Sequence, residues 1–363
     1  MPTAYGPSGA AVRRLPAVTV LVAMSGGVDS SVAAARVLDG GEEVVGVHLD
    51  LVSSTEAATD AKRVADHLGI RLEVWDLAAT FRREVMDDFV AQYAAGRTPN
   101  PCVRCNERIK FGALVDRALA EGFDAVATGH YARVLPAGGG TPELHRAMDR
   151  DKDQSYVLGV LSADRIAAAR FPVGTSTKAE VRAEAADRGL PVATKPDSVD
   201  ICFIPDGDTR GWLRRHVGDR PGDIVDAGGA VVGRHTGTHG FTVGQRHGLG
   251  LDRSRLDGQP RFVVGVDAAT STVTIGTADR LAVDLIEADR PRWCDAAPET
   301  GARVGVQVRA HGEEVPARLE VRGEDVRVAL ERTIRGVAPG QAAVLYDGTR
   351  VLGSATIVRA SRR

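Results

Sequence analysis

The chain has 363 residues, of which 43% are hydrophobic and 26% charged, so it is long enough for two or three domains that each bury a core. A formal net charge of -2 excludes a strong overall attraction to nucleic acid, although a local basic face remains compatible with it. No apolar run approaches the roughly 20 residues that span a bilayer, and the first residues lack a secretory-type apolar stretch. We therefore expect a soluble, cytoplasmic protein with a disordered segment at residues 1–16.

Short β-rich runs alternate with helical stretches from residue 18 onward. The predicted strands are VTVLVAM (18–24), EVVGVHLD (43–50), RLEVWDL (71–77) and DAVATGH (124–130). The predicted helices between and after them cover residues 30–41, 55–69, 80–96 and 106–122. Apolar strands joined by crossover helices predict an α/β, doubly wound parallel sheet over residues 17–208, with ligands at the carboxyl ends of its strands.

The rest of the chain is rich in β patterns with glycine between them. The run from Gly222 to Leu251 and the run RFVVGVDAATSTVTIG predict a small β-rich central domain over residues 209–284. Closely spaced runs such as ARVGVQVRA, VPARLEVRG and EDVRVALER predict a C-terminal β-barrel over residues 285–363.

The first predicted strand runs into SGGVDSS and then a helix. Gly26 and Gly27 let backbone N–H groups turn towards an anion, and the helix N-terminus adds its positive dipole end. Ser25 and Ser30 supply hydroxyl groups, and Asp29 supplies a carboxylate for Mg²⁺. A plain glycine-rich turn is the alternative, but the full SGGxDSS pattern resembles the pyrophosphatase loop of ATP-dependent adenylating enzymes. That resemblance implies an enzyme that splits ATP to AMP and pyrophosphate and activates a substrate oxygen as an adenylate.

Further motifs follow in order along almost the whole chain. They are TPNPCVRCNERIKF, ATGHYAR, DKDQSYVLGVL, TKPDSVDICFIP, GRHTGTHGFTVGQRHGLG and APGQAAVLYDGTRVLGSATI. Together they resemble the tRNA-specific 2-thiouridylase family of the PP-loop ATP pyrophosphatase superfamily, which replaces the C2 oxygen of the wobble uridine by sulfur. The resemblance implies ATP and Mg²⁺ as cofactors, tRNA as substrate, and a cysteine desulfurase or a sulfur-relay protein as sulfur donor.

The same resemblance assigns roles to individual positions. The residues implied to contact ATP are Ala23, Met24, Ser25, Gly26, Gly27, Val28, Asp29, Ser30, Leu49 and Gly129. The residues implied to contact tRNA are Lys152, Asp153, Gln154, His130 and Gln341. Cys105, immediately before Asn-x-x-Ile-Lys-Phe, is implied as the nucleophile, and Cys202 of DICFIP as the persulfide carrier. A disulfide between them is the expected by-product of turnover, which a reductant returns to thiols.

The surroundings of the two cysteines in the sequence differ. Cys105 directly precedes the helix predicted for residues 106–122 and has Arg104, Arg108 and Lys110 nearby, which predicts a lowered thiol pKa. Cys202 lies in the apolar run ICFI, which without the family resemblance would indicate a buried structural thiol.

Cys102 departs from the family, many of whose members carry an acidic residue at this position. Three interpretations remain open: an auxiliary thiol beside Cys105, an iron–sulfur site formed by Cys102, Cys105 and Cys202, and a structural zinc site. Zinc is disfavoured because it needs four ligands and no second CxxC or HxxxH follows. For the whole chain, the alternatives are an iron–sulfur-dependent version of the thiolation, another adenylating PP-loop enzyme, and an RNA-binding protein that kept the fold without catalysis.

Overall fold

The computed structural model describes residues 18–138, 140–197, 201–251 and 258–363. The segment 1–16, for which the sequence predicts disorder, lies outside the described residues. Up to Val217 the strands are β1 (Thr19–Ala23), β2 (Glu43–Asp50), β3 (Arg71–Asp76), β4 (Ala125–Ala127), β5 (Ala132–Leu135), β6 (Glu143–Arg146) and β7 (Ala169–Arg170). The helices are α1 (Val28–Asp39), α2 (Thr55–Leu68), α3 (Ala78–Phe81), α4 (Asp87–Ala94), α5 (Pro101–Cys105), α6 (Leu114–Ala120), α7 (Ser155–Leu158), α8 (Ala163–Ala168), α9 (Lys178–Asp187) and α10 (Thr209–Val217).

Five of these strands form one parallel sheet in the order β3-β2-β1-β4-β7. The predicted doubly wound α/β fold is therefore confirmed. Strand β2 covers the predicted residues 43–50. Strand β7 was not predicted, because two residues are too few to produce an alternation pattern.

Both faces of this sheet are covered. Val20 and Val22 of β1 pack in one core with α1, α2 and α9, whereas Leu21 packs in a second core with α6. All three side chains are fully buried. A central strand that is apolar on both sides explains why VTVLVAM is a continuous apolar run rather than an alternating one.

Two predicted helices are less regular in the structure, and the second of them is also longer. The π-helical segment Arg82–Met86 joins α3 to α4, and the π-helical segment Asn106–Ala113 joins α5 to α6. The second helical run begins at Pro101 rather than at residue 106. No helix in the described ranges is long and apolar enough to cross a membrane.

The central part of the chain forms a second, small sheet. Its strands are β8 (Gly222–Val225), β9 (Val231–His235), β10 (Phe262–Asp267) and β11 (Thr272–Gly276), in the order β10-β11-β8-β9. Ile224, Val263, Val273 and Ile275 are fully buried in its core. The predicted β-rich central domain is confirmed.

The last strands close into a barrel. They are β12 (Ala282–Trp293), β13 (Arg303–Gln307), β14 (Val315–Arg322), β15 (Asp325–Arg335), β16 (Ala342–Asp347) and β17 (Arg350–Ser361). The order β12-β15-β14-β13-β16-β17 closes because β12 also pairs with β17. The predicted C-terminal barrel is thus confirmed, whereas the domain boundaries after residues 16, 208 and 284 remain predictions.

The barrel is tied to the N-terminal sheet domain by the hairpin β5–β6. Strand β6 pairs with β17 at His145 and Arg350. Next to this pairing, the buried guanidinium of Arg146 bonds to Asp153 at 2.9 Å and to Glu314 of the barrel at 2.7 Å. These contacts fix the barrel beside the loops that leave the carboxyl ends of β1 and β4.

Candidate active site

The loop between β1 and α1 is shaped by glycine. Gly26 has a φ of +74°, and a Cβ at this position would lie 2.5 Å from the backbone oxygen of Ala57. Gly27 is the N-cap of α1 and has no side chain with which to cap it, so the first-turn N–H groups of α1 face the loop. Such a helix start is suited to hold phosphate oxygens.

Gly129 closes the other side of this loop. It follows β4, the neighbour of β1, and a Cβ on it would lie 2.6 Å from the backbone nitrogen of Ser30. Real Cβ atoms do not approach backbone so closely, so only glycine fits here. The loops after β1 and β4 therefore touch backbone to backbone at the start of α1.

Hydroxyl groups hold the loop in shape. The Ser30 hydroxyl accepts a hydrogen bond from the Ser25 N–H at 3.2 Å and donates to the Gly27 carbonyl at 3.1 Å. Met24 is buried, and its N–H donates to Val47 of β2 at 2.7 Å. The predicted ATP residues thus gather at the carboxyl ends of three adjacent strands: Ala23, Met24, Ser25, Gly26, Gly27, Val28, Asp29 and Ser30 after β1, Leu49 in β2 and Gly129 after β4. Their contacts with ATP remain a prediction.

Asp29, the residue predicted to hold Mg²⁺, is ion-paired in this structure. Its two carboxylate oxygens accept hydrogen bonds from the Lys178 ammonium at 2.6 and 2.8 Å. Tyr131 also donates its hydroxyl to Asp29 at 2.8 Å. A single carboxylate at a phosphate loop is a suitable donor for Mg²⁺, which completes its shell with phosphate oxygens and water. The residues present therefore fit ATP with Mg²⁺, provided that the Lys178 ammonium moves away from the Asp29 carboxylate.

The nucleophile predicted from the sequence, Cys105, is the last residue of α5. This helix starts at Pro101, and the side chain of Asn100 caps it by accepting a hydrogen bond from the Cys102 N–H at 3.0 Å. The expectation that Cys105 precedes a helix start was wrong. Asn followed by Pro is a helix-start signal that would have placed the start correctly.

The expected lowering of the Cys105 pKa was also wrong. The thiol is 8% exposed, and burial raises its pKa to about 12. The positive charge of Lys110 acts in the opposite direction, and the neighbouring thiols of Cys202 and Cys102 raise the pKa further. Burial therefore raises the Cys105 pKa by more than the basic residues near it in the sequence lower it.

Cys202 is brought to Cys105 by the apolar residues beside it. Phe203 and Ile204 share a buried core with Cys105 and with the aromatic rings of α4 and α10. The Phe203 ring lies 5.5 Å from the ring of Phe89 and 5.2 Å from that of Trp212. The side chain of Cys202 itself is exposed, although protein packed around the thiol still raises its pKa.

Cys102 lies one helical turn before Cys105, and its thiol repels the thiolate forms of both Cys105 and Cys202. Cys105, Cys202 and Cys294, all within the described part of the chain, are free thiols. Over those described residues, no three or more His, Cys, Asp or Glu side chains are arranged to hold a metal ion. The iron–sulfur site of Cys102, Cys105 and Cys202 remains a prediction, and the reaction proposed for this chain uses thiols without a cluster.

The residues predicted to contact tRNA lie around the same edge but are engaged in internal contacts. The Lys152 ammonium bonds to Asp197 at 3.0 Å. The Asp153 carboxylate pairs with Arg146, and the Gln154 side-chain oxygen accepts the Tyr131 N–H at 2.9 Å. Their roles in binding tRNA remain predictions.

His130 lies beside Lys110 of the α5–α6 run, and Gln341 lies beside Thr98, which precedes that run. His130 is buried, forms a 2.6 Å hydrogen bond with Thr128, and has its pKa well below the usual range because of burial and of the nearby Lys110. Gln341, in the turn before β16, donates its amide to the Thr98 carbonyl at 2.6 Å. Gln341 therefore fixes the barrel against the start of the TPNPC segment, whereas contact of either residue with tRNA remains a prediction.

A cavity opens between α4, α5 and the barrel, beside Pro99 and Asn100. Its charged lining consists of four arginines and two carboxylates, namely Arg104, Arg108, Arg290, Arg292, Asp88 and Glu107. Two of the arginines, Arg104 and Arg292, pair with Glu107 at 2.9 and 3.2 Å. The lining is therefore basic overall, even though the chain has a net charge of -2.

Sequence reasoning missed three residues of this region. Lys178 and Tyr131 bind Asp29 from distant positions in the chain, and no local pattern indicates either contact. Asn106 is 2% exposed, and its side-chain oxygen accepts no hydrogen bond among the described residues, although its amide donates to Val157. The sequence motif shows an asparagine directly after Cys105, but it does not indicate that this side chain is buried.

Three family models match successive parts of the chain. The family model described as a tRNA methyl transferase HUP domain matches residues 18–206, that of a tRNA methyl transferase PRC-barrel domain matches residues 210–277, and that of an aminomethyltransferase beta-barrel domain matches residues 283–357.

Three curated relatives align with nearly the full chain. The tRNA-specific 2-thiouridylase MnmA of Acidothermus cellulolyticus is 59% identical over 356 residues, which cover 94% of this chain and 98% of that protein. The protein of the same name from Kineococcus radiotolerans is 59% identical, with 93% and 98% covered. That of Streptomyces avermitilis is 54% identical over 358 residues, with 94% and 95% covered.

Proposed function

The chain belongs to the tRNA-specific 2-thiouridylase family, and on this premise we propose that it is an ATP-dependent tRNA-uridine 2-sulfurtransferase. It forms 2-thiouridine at the wobble uridine of tRNA and releases AMP and pyrophosphate. One observation carries the proposal: Cys105 and the segment of Cys202, 97 positions apart in sequence, meet in one core beside the sheet edge that bears the phosphate loop.

Sulfur transfer explains this pairing better than methyl transfer, which the matched family models carry in their descriptions. A methyl transfer needs neither a pyrophosphatase-type loop nor two thiols. Replacement of a carbonyl oxygen by sulfur needs both, because the oxygen is a poor leaving group until it is adenylated and the sulfur must be delivered by a nucleophile.

The proposed reaction balances with the thiols present. The O2 atom of uridine attacks the α-phosphate of ATP, pyrophosphate leaves, and the base becomes an adenylate. The terminal sulfur of a Cys202 persulfide attacks C2, and AMP leaves. The Cys105 thiolate then attacks the Cys202 sulfur and breaks the S–S bond, which releases 2-thiouridine and leaves a Cys105–Cys202 disulfide for a two-electron reductant.

The exposed position of Cys202 supports its role as the persulfide carrier. A cysteine desulfurase or a sulfur-relay protein must reach the thiol that it loads, and Cys105 is too deeply buried for such contact. Cys105 needs only to reach Cys202, its neighbour. The roles therefore agree with the exposure of the two side chains.

For tRNA, the proposal uses two groups of residues. The first group is Lys152, Asp153, Gln154, His130 and Gln341, and the second is the set of arginines that line the cavity beside Asn100. Arginine guanidinium groups bind phosphate oxygens in bidentate fashion, so this lining suits the RNA backbone next to the target base.

The test is a thiolation assay with tRNA, ATP, Mg²⁺ and a persulfide donor, followed by nucleoside mass spectrometry. Cys105→Ala and Cys202→Ala are expected to form no 2-thiouridine but to release tRNA-dependent pyrophosphate. Cys294→Ala is the control for Cys105→Ala, because Cys294 is also a buried thiol but directly follows β12 of the barrel. Full thiolation by either of the first two variants contradicts the scheme, and absence of tRNA-dependent pyrophosphate from the wild type favours a non-catalytic RNA-binding protein.

A further inference from the structure

Glu107 pairs with three of the four arginines that line the cavity beside Asn100. Its Oε2 atom accepts a hydrogen bond from Arg104 at 2.9 Å, and its Oε1 atom accepts one from Arg292 at 3.2 Å. The Arg108 guanidinium lies 3.6 Å from the same Oε1 atom. The Glu107 side chain is 17% exposed, so water and salt screen these contacts only partly. One carboxylate therefore faces three positive charges, and the four side chains together stay positive.

The arginines of this cluster come from two parts of the fold. Arg104 lies in α5 and Arg108 in the π-helical segment that follows it, whereas Arg292 lies in β12 of the barrel. The pairing of β12 with β17 is irregular just before Arg292, and there Arg290 has a φ of +51°. A side chain makes this backbone conformation unfavourable, and β-bulges often re-aim side chains beside functional sites. Arg290 and Arg292 both line the cavity, so the strained bulge presents two arginines to it.

The cavity offers more hydrogen-bond donors than acceptors. Besides the four guanidinium groups, the hydroxyls of Ser354 and Thr356 in β17 line it, and its carboxylates are those of Glu107 and Asp88. The side-chain oxygen of Asn100 caps α5, so its amide nitrogen remains as a further donor. This excess of donors and positive charge matches a phosphate diester, whose oxygens only accept. The volume of about 180 Å³ is below the range of about 300–1,000 Å³ for drug-sized ligands, so the cavity suits one phosphate rather than a whole nucleotide.

Glu107 occupies the position in which a phosphate would contact most of the arginines. Guanidinium groups bind carboxylate and phosphate oxygens with the same planar, bidentate geometry. The Glu107 carboxylate already lies between Arg104 of the helical run and Arg292 of the barrel. A phosphate that enters here exchanges one anion for another, because it must displace the carboxylate from the arginines.

We propose that the cavity is a site for one backbone phosphate of tRNA and that Glu107 fills it as an internal anion when no RNA is bound. On binding, the phosphate pairs with Arg104 and Arg292, and the Glu107 carboxylate moves aside. The cavity lies beside Asn100, which caps the short helix that ends at Cys105, so the phosphate belongs to the RNA next to the target uridine. The inference rests on the proposed function, which makes tRNA the substrate, and it specifies the residues that bind the RNA backbone.

A purely structural role for Glu107 makes the opposite prediction. In that interpretation the carboxylate only bridges α5 and the barrel, and loss of its charge loosens the barrel and weakens RNA binding. If the carboxylate instead competes with a phosphate, loss of its charge strengthens RNA binding. The sign of the change in affinity therefore decides between the two roles.

The experiment measures binding of an unmodified tRNA transcript, with uridine at the wobble position, to the full-length protein by fluorescence anisotropy between about 50 and 200 mM salt. Glu107→Gln keeps the shape of the side chain and removes its charge. At the lowest salt concentration its affinity for the transcript is expected to be about 5- to 10-fold higher than that of the wild type, the effect of one unit charge near a phosphate. Arg292→Gln is expected to bind at least about 10-fold more weakly, because a hydrogen bond between charged groups is lost. Its plot of log K against log salt should become shallower by about 0.7.

Further variants separate a local site from a general effect of charge. Arg104→Gln tests the site from the helical side and should weaken binding as Arg292→Gln does. In Glu107→Gln/Arg292→Gln most of the gain from Glu107→Gln should disappear, since the two side chains act on the same phosphate. Glu331→Gln and Arg303→Gln are the matched controls, because these residues form an exposed pair at 2.9 Å on the barrel outside the cavity lining. Each control should change the affinity less than about twofold. Thermal unfolding of each variant verifies that it folds.

The outcomes separate this inference from the proposed function. If the wild type does not bind the transcript, the proposed function fails together with the inference. If the wild type binds it but Glu107→Gln binds equally well or more weakly, or if Arg104→Gln and Arg292→Gln keep full affinity, the inference alone is overturned. An equal gain from Glu107→Gln in the wild type and in Arg292→Gln would also overturn it, because the carboxylate would then act only through its general charge.

Discussion

The phosphate loop and the thiol core lie at one edge of the same sheet, but different interactions stabilise them. Around the loop, glycines bring backbone close to backbone, and ion pairs such as Lys178–Asp29 balance charge near the surface. Around Cys105, aromatic and aliphatic side chains exclude water and raise the thiol pKa to about 12. The first region is suited to bind an anion, whereas the second keeps the Cys105 thiol, the proposed nucleophile, protonated.

This contrast suits a reaction in which the order of steps matters. A thiolate exposed at all times would react with oxidants or with the persulfide before the base is activated. Burial of Cys105 delays that step, and Lys110 supplies the positive charge that favours the thiolate once the proton has left. The loop is held together by charge pairs and close backbone contacts, whereas the thiol core is held together by apolar burial.

The largest effect is expected from filling the close approach of the loop. Gly129→Ala places a Cβ 2.6 Å from the Ser30 nitrogen, so the start of α1 must shift. A displacement of about 1 Å can cost about 100-fold in rate, and we expect tRNA-dependent pyrophosphate release to fall by at least that factor.

Gly138→Ala is the control for this variant. A Cβ at Gly138 would meet no described atom within 4 Å, so its pyrophosphate release should equal that of the wild type. Normal pyrophosphate release by Gly129→Ala would show that the loop tolerates movement. The close backbone contacts would then not be what distinguishes the loop from the thiol core.

The second prediction concerns pH. Because the pKa of Cys105 is raised to about 12, only a small fraction of the thiol is ionised near neutral pH. Below its pKa that fraction grows about tenfold per pH unit, so the alkylation rate of Cys105 without tRNA should rise about tenfold for each unit between about pH 7 and pH 10. The measurement is iodoacetamide labelling mapped by peptide mass spectrometry.

A plateau of the labelling rate below about pH 9 would mean that the free protein already activates Cys105 and that burial does not control it. The Lys110→Met variant sharpens the test, because loss of the positive charge should slow labelling further at each pH. Circular dichroism over the same pH range verifies that the protein stays folded.

The smallest effect is expected at Cys102. Among the described residues no group of side chains is arranged to hold a metal ion, so we expect Cys102→Ser to retain thiolation within about twofold and the purified protein to contain no iron or acid-labile sulfide. Iron analysis and absorbance spectra of anaerobically purified protein accompany the thiolation assay. Loss of activity in this variant together with bound iron in the wild type would contradict this expectation and favour the iron–sulfur interpretation.

The sequence predicted those parts of the molecule that depend on neighbouring residues. The SGGxDSS pattern located the loop after β1, the alternation of strands and helices gave the parallel sheet, and ordered motifs indicated the family to which the relatives belong. Strand β12 was missed because Asp289, Arg290 and Pro291 interrupt its apolar pattern.

Features made by distant contacts were not predictable in this way. The basic residues beside Cys105 suggested a low pKa, but the burial that reverses it comes from residues such as Phe203, far along the chain. Lys178 meets Asp29 across 149 positions, and nothing around either residue indicates the pair. The ion pairs and the burial of side chains at a site depend on the whole fold, whereas the residues of the phosphate loop are recognised from a local sequence motif.

The most direct test of the account is the fate of the two thiols in a single turnover. Protein loaded with persulfide on Cys202 is mixed with tRNA, ATP and Mg²⁺ without reductant, quenched with alkylating agent, and analysed for disulfide-linked peptides and for 2-thiouridine. The account predicts a Cys105–Cys202 disulfide in amounts equal to the 2-thiouridine formed. Formation of 2-thiouridine with Cys105 still free, or with Cys202 linked to Cys102 instead, would contradict it.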